Sequence, residues 1–234
     1  MYGPAKQSSV SRKQRKERST VRAPNQAHAL SRTLVILCQR VVGSTMDATK
    51  TRADIVNVVA TASIDQRLDF YVLRELKWIF HDPDVYRGRV AYLKMPDMQG
   101  KITIFASGKM ISIGTKSEKK AYSELEAAEK YLVEKVHVRP VKLHPKTQNI
   151  VVRTDFERNV DLENLVLDSN EIIYEPEQFP GAILRTETPF QASIIVFASG
   201  KAIITGLKSS KQILPTVRQL RHFIEHRART RSFR

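Results

Sequence analysis

Phe105-Ala-Ser-Gly-Lys109 returns later in the chain as Phe197-Ala-Ser-Gly-Lys201, an offset of 92 residues. Three more features keep that register: Asn57-Val-Val answers Asn149-Ile-Val, Gly114 answers Gly206, and Lys116 answers Lys208. His81-Asp-Pro83 corresponds to Tyr174-Glu-Pro176 one residue out of step, as a single insertion or deletion produces. Matches at one spacing mark an internal duplication, which has to be read before any single element. The 234 residues then divide into a basic extension expected to be disordered (1–53), a first repeat (54–143), and a second repeat with a basic C-terminal helix and tail (144–234).

Each copy runs through the same elements. Ile55–Ser63 is apolar and β-branched, as a strand requires. Phe70, Leu73, Leu76 and Ile79 recur at helical spacing, which predicts a helix from Asp69 to Trp78. Strands are expected at Gly88–Met95, Lys101–Ala106 and Lys109–Gly114, with Ser107-Gly108 as the tight turn between the last two. Ser117 suits the N-cap of a long helix running to Lys135. The second copy repeats this order and ends in a basic helix from about Ser209 to Arg227. Hairpin strands with helices on one side make an α+β fold with an antiparallel sheet.

Alternation along the strands gives two side-chain sets. Ile194, Val196, Ala202 and Ile204 form one, and Ile195, Phe197, Ile203 and Thr205 the other. Both are apolar, yet each copy supplies only one long and one short helix, enough to cover a single face. The second face is either an interaction surface or is buried against the other copy, as in a sandwich. The pattern leaves both open.

Lys and Arg number 39 against 24 Asp and Glu, for a net charge of +15 and a pI near 10.0. That balance calls for a polyanionic partner, nucleic acid or an anionic membrane surface. Cys38 is the one cysteine, which excludes internal disulfides and thiolate zinc sites and suits a reducing compartment. The best apolar run, Leu34–Leu37, falls far short of the roughly 18 residues of a membrane span or of a signal core. A soluble intracellular protein with no membrane partner is expected. Residues 1–45 carry nine basic residues and one acid, Glu17, and read as a disordered tail; Met46 is an alternative start. His28, His81, His137, His144, His222 and His226 are scattered and build no catalytic or metal triad. His222 and His226 stand i, i+4 on a helix, a metal-pair spacing, but Arg218, Arg221 and Arg227 around them read as a solvated basic face. No enzyme activity and no cofactor are expected.

Asn57-Val-Val-Ala-Thr61, the two Phe-Ala-Ser-Gly-Lys segments, Gly114-Thr-Lys-Ser-Glu118 and Tyr174-Glu-Pro-Glu-Gln-Phe-Pro-Gly181 resemble the TATA-box-binding proteins, general transcription factors of archaea and eukaryotes. The resemblance spans about residues 54–227, and Ile64-Asp-Gln-Arg-Leu-Asp69 and Gln178 look archaeal. It implies a pseudo-two-fold saddle with a curved antiparallel sheet and helices on the convex face. It further implies a general initiation factor that binds the TATA-box promoter element in the minor groove, bends the DNA, and recruits transcription factor B and RNA polymerase. Such a factor would be a monomer on DNA, able to dimerise when free, and would act in the archaeal nucleoid or in a nucleus. The alternative is a divergent paralogue acting mainly through protein partners, or as a repressor with relaxed DNA specificity.

The resemblance also assigns roles. Asn57 and Asn149 would bond base acceptors near the centre; read alone, each is a strand-end residue capping backbone. Val59, Val151, Ile111 and Ile203 would press on sugars and base edges, and Thr205 would add a hydroxyl. Phe179 with Phe197, and Tyr86 with Phe105, would wedge between base steps; read alone, these rings are core residues. Lys109 and Lys201 would meet phosphates, with Lys116 and Lys208 as weaker candidates. Glu175 and Glu177 resemble acidic contacts to transcription factor B. Four departures predict an asymmetric site: Tyr86 where the family usually has Phe, Ile113 in the slot answering Thr205, Arg153 where the family has a small residue, and Tyr92 replacing a common arginine that Arg185 retains.

Overall fold

The two strands that carry the asparagines, β1 (Arg52–Ser63) and β6 (Lys146–Asp155), pair antiparallel at the centre of one nine-stranded sheet. The structure is a computed structural model and describes residues 52–167, 172–187 and 190–229. The expectations for residues 1–45 lie outside them.

Outward from β1 run β5 (Lys109–Thr115), β4 (Lys101–Phe105), β3 (Val90–Leu93) and β2 (Ile79–His81); outward from β6 run β9 (Lys201–Leu207), β8 (Ala192–Phe197) and β7 (Gly181–Thr186). Every pairing is antiparallel. The counterpart of β2 shrinks to one bridge between Ile173 and Ile183. No sandwich forms, because the repeats join edge to edge through β1 and β6 and share a single sheet.

Helices cover one face. The single-turn α1 (Phe70–Leu73) and long α2 (Glu118–Val136) belong to the first repeat, and α3 (Leu162–Val166) and α4 (Ile213–Arg229) to the second. Ser117 caps α2 as expected, its hydroxyl accepting from the Lys120 amide at 3.1 Å. Ser209 and Gln212 form a capping box on the 3₁₀ turn that leads into α4. Leu125, Ala128 and Leu132 of α2 and Val217, Leu220 and Ile224 of α4 pack on Val58, Ala60, Ile102, Ile104, Ile150, Val152, Ile194 and Ile204 in one continuous core.

The helix expected from Asp69 to Trp78 is shorter than its apolar spacing predicts. Asp69 caps it, accepting from the Tyr71 amide at 2.8 Å, but α1 ends after one turn. Trp78 takes a left-handed φ of 76° and throws the chain into β2, where Ile79 lies opposite Leu93. Ile79, counted above as helical, serves an edge strand. The strand expected over Gly88–Met95 is likewise trimmed to Val90–Leu93.

Candidate nucleic-acid interface

Alternation decides which side chains the helices leave bare. Val58, Ala60, Met110, Ile150, Val152, Val196, Ala202 and Ile204 are fully buried toward the helices. Their neighbours Asn57, Val59, Ile111, Ile113, Asn149, Val151, Ile195, Phe197, Ile203 and Thr205 are only half-buried, and among the described residues no helix covers them. This second face is one underside crossing both repeats, and it gathers Asn57, Asn149, Phe179 and Phe197 as the sequence led us to expect.

At its centre the two asparagines do the same thing. The Gly114 amide donates to Asn57 Oδ1 at 2.9 Å, and the Gly206 amide to Asn149 Oδ1 at 2.7 Å. Both glycines sit at φ near 100°, a conformation open to glycine that turns the amide toward the side chain. A backbone N–H can only donate, so each amide is oriented with its NH₂ outward. The capping reading and the base-contact reading are therefore compatible, since the carbonyl serves one and N–H donors remain for the other, two at Asn57 and one at Asn149. Asn149 Nδ2 donates to the Thr205 hydroxyl at 3.2 Å, whereas Ile113 gives Asn57 no such partner.

The outer ends differ. In the second repeat Phe179 is 38% exposed and its ring lies 6.0 Å from that of Phe197, tilted by 60°. Gly181 lies directly beneath: a Cβ there would come within 2.9 Å of the Phe179 ring and 3.3 Å of Phe197. In the first repeat Val90 stands opposite Phe105 where Gly181 stands opposite Phe197. The segment leading there is two residues longer, as the cross-strand partners Phe80–Tyr92 and Ile173–Ile183 reveal. Tyr86, Arg87 and Gly88 absorb the excess at φ of 49°, 55° and 66°, leaving Tyr86 70% exposed. Phe105 and Tyr86 thus form no ring pair like that of the second repeat.

Register corrects one equivalence. Tyr92 faces Thr103 and Ile183 faces Ile195, so Tyr92 corresponds to Ile183 and not to Arg185. Lys101 Nζ lies 4.8 Å from the Tyr92 ring centre, placing a cation on this part of the underside. Arg185 is exposed on the same face at the far end of β7.

Arg153 is exposed on the underside, 3.5 Å from Asp54. Lys109 and Lys201 are exposed beside the hairpin turns, opposite Ser63 and Asp155. Of the weaker candidates, Lys208 is tied down, donating to the Gln148 carbonyl at 2.6 Å. Glu175 and Glu177 are exposed on the loop before Phe179, where the Glu175 carbonyl accepts from the amides of Gln178 and Phe179, each at 2.9 Å. His222 and His226 stack 6.3 Å apart on α4; among the described residues no three His, Cys, Asp or Glu group as metal ligands.

The family model for "Transcription factor TFIID (or TATA-binding protein, TBP)" matches twice, over residues 52–134 and 144–226. The chain belongs to the TATA-binding protein family. The TATA-box-binding protein of Cenarchaeum symbiosum is 37% identical over 164 residues, 70% of this chain and 89% of that protein. That of Pyrodictium occultum is 36% identical over 178 residues, 73% and 85% of the two chains. The solved structure of Methanococcus jannaschii TBP superposes with a TM-score of 0.66 at 28% identity, covering 75% of this chain and 99% of that one. The family's saddle is the one described above. Sequence reasoning missed two underside residues. Phe80, 63% exposed opposite Tyr92, fell next to a helix expected to run through Trp78. Asp54 lies three residues from Asn57, which parity puts on opposite faces; a bulge between Ile55 and Asn57 brings both to the underside.

Proposed function

We propose that the chain is a general transcription initiation factor that binds an A·T-rich promoter element in the minor groove, bends it, and presents the result to transcription factor B and RNA polymerase. The central observation is the matched pair Asn57 and Asn149, whose carbonyls are occupied by Gly114 and Gly206 so that NH₂ donors project into an otherwise apolar surface. A·T pairs offer only acceptors in that groove, and guanine adds a protruding donor. Donors set in a flat apolar face suit the first and reject the second. Ile111, Val59, Val151 and Ile203 supply the apolar contact, and the Thr205 hydroxyl borders Asn149.

Phe179 and Phe197 form the wedge of the second repeat. Ring insertion between base steps, the known mode of this family, costs a few kcal/mol of unstacking, offset by the surface that the bent duplex then covers. Tyr86 and Phe105 hold the corresponding place in the first repeat without a packed pair, which makes that end the weaker kink. Lys109, Lys201 and Arg185 carry the charge that fixes the protein on the backbone, and Arg153 adds a cation on the underside itself. Glu175 and Glu177, beside the wedge, are the contact surface for transcription factor B.

Footprinting on an A·T-rich promoter at low salt, with and without transcription factor B, tests this reading. A protected segment that the factor extends is expected; no protection at low salt overturns it. The asymmetric ends and the Asp54 carboxylate on the underside favour, as a second reading, a paralogue with relaxed DNA specificity that works mainly through partners. Protection appearing only with transcription factor B present would select it.

A further inference from the structure

On its two central strands the underside breaks its pseudo-symmetry with charge at Arg153, away from the outer cations Lys101 and Arg185. Arg153 of β6 stands opposite Asp54 of β1, its Nη2 3.5 Å from Asp54 Oδ2, while Arg52 Nε holds the same oxygen at 3.0 Å. The other neighbour of Arg153 is Ile203, so the guanidinium lies on the apolar field and not at its rim. The residue 92 positions earlier is Thr61, which faces Lys146 and whose hydroxyl accepts from Gln148 Nε2 at 2.8 Å. One repeat thus sets an aimed guanidinium on the surface, and the other a small neutral group already engaged.

That difference bears on direction. A·T and T·A present the same acceptors to the minor groove, so two equal half-surfaces cannot distinguish one orientation on an A·T-rich site from the other. Polarity has to come from residues that differ between repeats. Thr205 and Ile113 differ, but Thr205 brings a single neutral hydroxyl held against Asn149 at 3.2 Å, without charge. Gly181 and Val90 differ, but they set ring packing and offer no donor. Arg153 has five N–H donors and no acceptor. Pinned on one side by Asp54, it keeps N–H groups for adenine N3 or thymine O2 and opposes the amino group of guanine.

We propose that Arg153, positioned by Asp54, sets the polarity with which the protein sits on its site. The half-site beneath the second repeat has to be A·T at Arg153, while the half beneath the first tolerates G·C at the equivalent pair. The proposal rests on the minor-groove reading above and adds direction to it.

The test uses the full chain carrying Cys38→Ser and a DNA-cleaving iron chelate on Ser199→Cys or, separately, Ser107→Cys, the exposed residues of the two equivalent hairpin turns. The probes are an all-A·T duplex and the same duplex with one G·C pair in one half. The Ser199 derivative is expected to cut next to the intact half about ten-fold more than next to the other, and the Ser107 derivative the reverse. Arg153→Thr, which copies the first repeat, should equalise the ends and weaken binding to the all-A·T duplex and to the G·C-bearing duplex by no more than about ten-fold, so that cleavage is still read at raised protein concentration. Asp54→Asn should lower the bias but tighten overall binding, because a negative charge leaves a surface facing phosphates; a merely structural loss would weaken both. Bias retained in Arg153→Thr overturns the proposal, and bias unchanged in Asp54→Asn removes Asp54 from it. Binding without bias in the parent protein refutes polarity alone. Failure to bind the all-A·T duplex refutes the function and the polarity together.

Discussion

An asparagine amide offers one acceptor and two donors, and in this protein the acceptor is occupied before any ligand arrives. Asn57→Asp and Asn149→Asp keep the bonds to Gly114 and Gly206 and replace the outward donor with a carboxylate oxygen. Each is expected to weaken binding to an A·T-rich duplex about ten-fold or more, since an unmet acceptor costs about 1–3 kcal/mol, with little change in melting temperature. Fluorescence anisotropy and thermal unfolding on the same samples check both halves of that statement. Gly181→Ala makes a parallel case. The new Cβ meets ring edges and the Ile195 methyl, not backbone, and Val90 carries a side chain at the equivalent place. Stability should move by under about 1 kcal/mol, whereas the Phe179–Phe197 pair is forced apart. A smaller bend, read by energy transfer between the duplex ends, is the expected outcome; an unchanged bend would take the wedge role from this pair.

At the scale of elements, Glu124 of α2 is 2% exposed and accepts from the amides of Gln99 at 2.6 Å and Gly100 at 3.2 Å. It fastens the turn between β3 and β4 to the helix. Glu124→Ala strands the buried Gly100 N–H and the part-buried Gln99 N–H and should cost about 1–2 kcal/mol, visible as a lowered melting temperature with no change in the salt slope of DNA binding. Elements were also where the sequence was most and least readable. Ser117 announced its helix because an N-cap is a local device, and alternation in β8 and β9 divided the side chains into two sets without showing which set the helices cover. α1 misled because its apolar spacing continues past Leu73, while the edge pairing of Ile79 with Leu93 outweighs a helical preference that extends only a turn. The bulge that brings Asp54 to the underside has no local mark at all, since it is set by how β1 registers against β6. The pattern thus left the underside as one of two readings, an interaction surface or a face buried against the other copy, and the Asp54–Arg153 pair on it was not foreseen.

Over the whole molecule, the repeats are fastened by more than the β1–β6 ladder. Glu118, at the start of α2, accepts from the Thr147 hydroxyl at 3.0 Å and from the Ser210 amide at 2.9 Å, joining the first repeat to the second. Burial raises its pKa, but the bonds from Ser210 and Thr147 outweigh this and hold it below the ordinary value of 4.5. A carboxylate depressed in the folded state contributes stability that is fully present above its unfolded pKa and lost as pH falls through the folded one. Unfolding followed below pH 4.5 should lose stability more steeply in the parent protein than in Glu118→Gln, and parallel curves would show the tie to be inert. Binding belongs to the same scale: Lys109→Ala and Lys201→Ala should each reduce the slope of log K against log salt by about 1.

Because alternation sorts most of the strand residues into a packed row and a bare row, this architecture separates two kinds of evolutionary freedom. Substitutions such as Thr61 against Arg153 or Ile113 against Thr205 can accumulate on the bare row while Ala60 and Val152, Met110 and Ala202 stay sealed under the helices. A gene born of duplication can in this way teach its two halves different preferences without ever unsettling the fold they share.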